Sequence, residues 1–154
     1  MPRLELVTSI NAPCDVVFAY SLDVGVHAQS MSDSGERAVA GVTAGQMTLG
    51  EQVTWRARHF GRWWRMTSRI TAYDPPRFFI DEQVAGPFAH WHHAHHFERG
   101  DLGTTLMTDV IDFAAPYGPA GSIAEALVLN RYMSHLIQLR NRHLVAEAQR
   151  AQNQ

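Results

Sequence analysis

Between Glu51 and Phe113, apolar and polar side chains alternate in five segments: Glu51 to Phe60, Trp63 to Tyr73, Phe78 to Val84, His90 to Glu98 and Thr104 to Phe113. Turn signals separate them at Gly61-Arg62, Asp74-Pro75-Pro76, Gly86-Pro87 and Gly100 to Gly103. A period of two interrupted by such turns predicts an antiparallel meander. One or two weaker strands are predicted between Arg37 and Leu49, and a first strand at Arg3 to Ile10, where Leu4, Leu6 and Thr8 alternate with Glu5 and Val7. Pro13 suits the first turn of a helix, Asp15 complements the positive end of its dipole, and Val16, Val17, Phe18, Tyr20 and Leu22 supply apolar surface. A second short helix fits Val24 to Met31, ended by a Ser/Asp/Gly cluster.

After Pro116-Tyr117-Gly118-Pro119 the period becomes helical. Ile123, Leu127, Asn130, Met133, Ile137 and Leu144 form one stripe, flanked by Ala126, Leu136 and Arg140. The predicted helix runs about thirty residues, on the order of 45 Å, with residues 148–154 as a frayed tail. One strand, two short helices, a meander and one long helix predict an α+β fold. Its antiparallel sheet of six to seven strands bends around the C-terminal helix, in a single domain over residues 1–154.

Composition narrows the function. With 45% apolar residues the chain can close one core, and thirteen arginines against fifteen acids, a net charge of -2, form no block of either sign. No nucleic-acid partner and no integral membrane segment is expected. The opening MPRLELVTSINAP carries charges and no apolar export region, which predicts a cytoplasmic protein. A single cysteine, Cys14, excludes an internal disulfide; near a helix start it reads as a small buried residue rather than a reactive thiol. The glycines sit at turns with no nucleotide-binding pattern, so no cofactor is expected.

The stretch FAHWHHAHHF, Phe88 to Phe97, holds five histidines. On a strand, Trp91, His93, His95 and Phe97 share one face, while His90, His92, Ala94 and His96 share the other. The two aromatics predict that the first set faces inward. On the next strand Thr105, Met107, Asp109, Ile111 and Phe113 share the inner face, and a hairpin through Arg99 to Gly103 sets Asp109 opposite His93 or His95. A buried His/Asp contact follows. Val53, Trp55, Ala57 and His59 predict the inner face of the Glu51 strand, and Trp64, Met66, Ser68 and Ile70 that of its neighbour. Phe78, Ile80, Glu82 and Val84 weakly suggest the inner face of the Phe78 strand.

Several motifs carry a family resemblance: VTWRARHFG (Val53 to Gly61), TSRIT..DPPRFF.DE (Thr67 to Glu82), GPF with W.H.H.F (Gly86 to Phe97), T.MTD.IDF..P (Thr105 to Pro116), and Arg140 with Leu144. Over nearly the whole chain the sequence resembles the START-like, helix-grip superfamily, in its bacterial SRPBCC, polyketide cyclase/dehydrase-like branch. The resemblance implies a hydrophobic cavity between sheet and helix that holds a lipid, sterol, polyketide or hormone. It carries no agreed catalytic set.

The expected ligand-binding residues are Trp55, His59, Trp64, Met66, Glu82, Trp91, His93, His95, Phe97, Met107, Asp109, Ile111, Asn130 and Met133. Binding of a small hydrophobic molecule, as carrier or sensor, is the leading expectation. The alternative is a cyclase, aromatase or dehydratase in which His93 or His95 moves a proton and Asp109 holds the ring. No metal is expected: His93, His95 and Asp109 have suitable chemistry, but side chains two apart on a strand start about 6.6 Å apart, and no zinc spacing is present. Arg140 is expected in a rim salt bridge, Asn130 near the ligand or an ordered water, and Trp63 exposed, at a cavity mouth or a subunit contact of a homodimer.

Overall fold

The computed structural model describes residues 3–115 and 123–154, with side chains of the second stretch from 126 onward. β1 (Arg3–Ile10) leads into α1 (Cys14–Ser21) and α2 (Val24–Ser30), followed by β2 (Arg37–Gly41), β3 (Gln52–His59), β4 (Arg62–Asp74), β5 (Phe78–Ala85), β6 (His90–Arg99), β7 (Thr105–Ala114) and α3 (Ile123–Gln152). All seven strands form one antiparallel sheet in the order β1-β7-β6-β5-β4-β3-β2. The meander therefore occupies six consecutive places, and β1 joins its far edge beside β7. With α3 packed on the inner face, this is the helix-grip architecture.

Local chemistry sets the boundaries. The Asp23 carboxylate accepts from the Val26 amide at 3.0 Å and caps α2. Gly41 ends β2 with φ +72°, where any Cβ would strike the Gln52 carbonyl on β3, so both backbone angle and close approach demand glycine. Leu22, Val24 and Met47 bury the inner side of the short helices and the loop before β3. Among the described residues, no helix is long and apolar enough to cross a membrane.

Helix α3 departs from the expected stripe. Leu127 is 55% exposed, while Met133, Ile137, Arg140, Leu144 and Ala148 are buried at successive spacings of three or four. Arg140 thus sits on the stripe, not at a rim. The helix also continues to Gln152, and fully buried Ala148 anchors what the sequence suggested as a frayed tail. The side chain of Ile123 lies outside the described residues.

Two apolar regions make up the interior. One joins Val17, Phe18 and Leu22 of the first helix and its end to Phe79, Phe97, Met107, Leu144 and Ala148. The other joins Trp91, Ile111 and Phe113 to Met133 and Ile137. Between them β6 places His93 and His95, β7 places Asp109, and α3 places Arg140, all buried. Each of these three elements runs from one apolar region to the other through a polar position, so a polar layer crosses the middle of the core.

Candidate functional site

Trp91, His93, His95 and Phe97 are buried on the inner face of β6, whereas His96 is exposed and His90 and His92 are half-buried on the outer face. The hairpin register sets His95 opposite Asp109 and His93 opposite Ile111. Both rings nevertheless reach the same carboxylate: His93 Nε2 lies 2.8 Å and His95 Nδ1 3.3 Å from Asp109 Oδ1. Arg140 Nη2 donates to that oxygen at 2.5 Å, and Asn141 Nδ2 donates to Oδ2 at 2.8 Å. Asn141 also donates to Thr8 Oγ1 at 3.1 Å, tying α3 to β1 through this layer. Asp109 has no exposed surface. Burial raises its pKa, but the Arg140 guanidinium and the histidine hydrogen bonds outweigh that and hold the carboxyl well below the usual range.

The sequence pattern misses the second carboxylate of the layer, Asp81. β5 carries phenylalanine on both faces. Phe79 and Asp81 turn inward to line the cavity, while Glu82, expected inside, lies on the opposite face and pairs across the strands with His92. The packing explains the choice. Phe79 stacks on His95 with centroids 4.0 Å apart, and Phe78 stacks on outer-face His96 at 6.0 Å. Asp81 Oδ2 accepts from His95 Nε2 at 2.8 Å and its Oδ1 from Trp91 Nε1 at 3.2 Å. A charge placed on that face is therefore satisfied. Burial works to raise the Asp81 pKa, and the His95 hydrogen bond, the His93 and His95 charges and the Trp91 hydrogen bond bring it down to about 2.

The two inner histidines stack on each other, centroids 3.7 Å apart. His93 donates through Nε2 to Asp109, which leaves its Nδ1 lone pair facing Asp81 Oδ2 at 3.8 Å. Burial first, and the neighbouring His95 second, push the His93 pKa down to about 4, against the pull of the two carboxylates. His93 is a neutral ring at neutral pH.

This layer forms one wall of a cavity of about 290 Å³ between the sheet and the helices. Of the residues expected at the ligand, Trp55, His59, Trp64, Met66, Trp91, His93, His95 and Met133 line it. Asp109 lies directly behind the histidines. Phe97, Met107 and Ile111 belong to the packed core behind the wall, and Asn130 is half-buried on α3, outside the lining, with no hydrogen-bond partner for its Oδ1 among the described residues. The lining also includes Asp81, Arg140, Tyr132 and the His27/Glu36 pair, whose nearest atoms are 2.8 Å apart. His59 Nδ1 and Tyr132 Oη share a hydrogen bond of 2.6 Å that joins the end of β3 to α3 beside the cavity. The indole of Trp63 is half exposed on the other face, with the Arg56 guanidinium 4.0 Å above it.

Residues 1–149 match the family model described as polyketide cyclase/dehydrase and lipid transport. No curated protein matches the chain. Among solved structures, the Zhui aromatase/cyclase from a Streptomyces species superposes with a TM-score of 0.77 at 19% identity, covering 97% of this chain and 94% of that one. A START superfamily protein from Mycobacterium smegmatis gives 0.73 at 9% identity, covering 97% and 98%. The protein TTHA0849 from Thermus thermophilus gives 0.73 at 14% identity, covering 96% and 99%. These likenesses extend across the whole fold.

Proposed function

The chain belongs to the polyketide cyclase/dehydrase and lipid transport family, and from that premise we propose that it binds a small hydrophobic molecule in the cavity between sheet and α3, as a carrier or sensor. The observation that carries this reading is the shape of the interior: a largely apolar chamber of about 290 Å³ with the Asp81, His93, His95 and Arg140 layer on one wall and the His27/Glu36 and His59/Tyr132 pairs elsewhere in its lining. That size lies near the lower end of ordinary ligand pockets, roughly 300–1,000 Å³, and suits one flat or short flexible guest. Trp55, Trp64, Met66, Trp91 and Met133 offer it aromatic and thioether surface, while Asp81, His93, His95 and Arg140 give an oxygen-bearing end both acceptors and donors.

Native mass spectrometry of gently purified protein is expected to show a retained small molecule. Ala57, buried on β3 and part of the lining, gives the matching variant. Ala57→Trp should fill the chamber and weaken binding of an environment-sensitive apolar dye at least about 10-fold, equivalent to roughly 1.4 kcal/mol, while the chain stays folded. Unchanged dye affinity in this variant would exclude the chamber as the binding place.

A second reading rests on the 2.8 Å contact between His95 Nε2 and Asp81 Oδ2 at the cavity wall. A histidine in that position, backed by Asp109 and Arg140, is placed to move a proton on a carbonyl-bearing guest, as an aromatase/cyclase or dehydratase requires. General acid-base help is worth about 10² to 10⁴ in rate, so His95→Gln should slow turnover of a poly-β-ketone thioester mimic by at least about 10². Equal turnover in wild type and variant would remove His95 from the chemistry.

A further inference from the structure

Asp81, His93 and His95 each turn one ligand atom toward a common point, and these atoms all lie within 4.8 Å of one another. His95 Nε2 is 2.8 Å and His93 Nδ1 3.8 Å from Asp81 Oδ2. Bonds of about 2.1 Å at tetrahedral angles place donor atoms roughly 3.4 Å apart, a value the two measured separations straddle. Convergence on one ion would turn the two rings, now stacked with centroids 3.7 Å apart, toward a common point.

The surroundings are those of a metal-ligand set. Metal-bound histidines ordinarily donate their second ring nitrogen to a carboxylate or carbonyl, which fixes tautomer and orientation. Here Asp109 Oδ1 accepts from His93 Nε2 at 2.8 Å and lies 3.3 Å from His95 Nδ1, which also meets the Arg140 guanidinium at 3.5 Å. An ion would require His95 to move its proton from Nε2, which now donates to Asp81, to Nδ1, where Asp109 can accept it once the Arg140 guanidinium at 3.5 Å gives way, and Nε2 would then offer its lone pair. Trp91 Nε1 holds the other oxygen of Asp81, leaving Oδ2 for the ion. With neutral imidazoles, the two carboxylates and Arg140 leave one net negative charge in the layer, which favours a cation. Among the described residues His93 Nδ1 meets no hydrogen-bond donor, and Asp81 Oδ2 at 3.8 Å is also an acceptor.

We propose that Asp81, His93 and His95 form a two-histidine, one-carboxylate site for a divalent first-row transition ion of the zinc or ferrous class, with its remaining positions open to the cavity. The protein ligands come from two adjacent strands, β5 and β6. The His2Glu class of catalytic zinc sites and the two-histidine, one-carboxylate ferrous sites share this N2O donor set. The ion would polarise or hold an oxygen of the guest, a role that rests on the cavity reading given above; the ion site itself does not depend on it.

The test is cobalt(II) titration of EDTA-treated protein followed by visible absorption, together with zinc equilibrium dialysis and metal analysis. Apolar dye binding is measured on the same samples. One ion per chain is expected, with cobalt bands of a low-symmetry site. Asp81→Asn and His93→Gln, each checked for native circular dichroism, should both weaken uptake by about 100-fold or more. The outer-face variant His90→Ala/His92→Gln/His96→Ala should keep the ion. Absence of stoichiometric uptake, or uptake lost in the outer-face variant and retained in Asp81→Asn, overturns the site. Dye binding without metal uptake refutes the metal site and leaves the cavity reading standing; metal uptake without dye binding does the reverse.

Discussion

Arg140→Met should lower stability by about 3–5 kcal/mol, the range for removing one partner of a buried ion pair. The guanidinium is the only full positive charge that touches Asp109 among the described residues, and that carboxylate has no exposed surface to turn toward water. Asn141 and His93 would still donate to it, but neither neutralises its charge at neutral pH. For a chain of this size the loss corresponds to a fall in Tm of roughly 10 °C. Asp109→Asn alone strands the guanidinium instead. The double variant Asp109→Asn/Arg140→Met removes both charges and should recover at least about half of the single-variant loss, a coupling measurable by a double-mutant cycle in urea. Additive losses, or a cost for Arg140→Met below about 1 kcal/mol, would mean that the pair is solvated and that the polar layer does not bind α3 to the sheet.

That pair also marks where hydrophobic patterning stops being informative. The inner face of β6 was legible because Trp91 and Phe97 bracket His93 and His95 at even spacing, and hairpin arithmetic then brought Asp109 to the histidines. The same arithmetic left open which ring Asp109 meets; side-chain reach allows it to meet both. β5 was not legible, since Phe78 and Phe79 put an aromatic on each face. The decision rests on long-range partners, the His95 and Trp91 donors that satisfy Asp81 inside and the His96 ring that covers Phe78 outside. The alternation of Phe78, Ile80 and Val84 therefore suggests an inner face for Glu82, which lies on the outer one. Helical periodicity passed over Arg140 for a related reason: an apolar stripe skips a charged residue unless its counter-charge is already known. A buried Asp109 requires a compensating charge, and the six residues between Ile137 and Leu144 on the stripe hold the arginine that supplies it. The sheet and the long helix were accessible from periodicity, and the family resemblance implied the cavity. The carboxylate that lines the cavity, Asp81, was accessible only from tertiary contacts.

Acid sensitivity should be the clearest thermodynamic signature of this layer. His93 carries a pKa of about 4 in the folded chain, against an ordinary 6.5. Between those values the unfolded chain binds the proton that the folded one refuses, so stability is highest above about 6.5 and falls as pH drops toward 4. By pH 4.5 the loss from this ring alone is about 2 kcal/mol relative to pH 7. Asp81 acts in the same direction at lower pH: with a folded pKa of about 2 against 3.8, its contribution is complete above 3.8 and is lost as pH falls toward 2. His59, also pulled down by burial, adds to the upper part of the window. EDTA-treated protein should therefore show a urea midpoint about 1 M lower at pH 4.5 than at pH 7, for a slope of roughly 2 kcal/mol per M. Replacing the titrating ring should flatten that difference: His93→Gln is expected to be less stable than wild type at pH 7, yet to lose markedly less on acidification. An equal pH 4.5 to pH 7 difference in the two proteins would show that the ring accepts its proton in place. The stacked His93/His95 pair would then be an ordinary solvated group, and Asp81, Asp109 and Arg140 would have to be read as a charge network open to water.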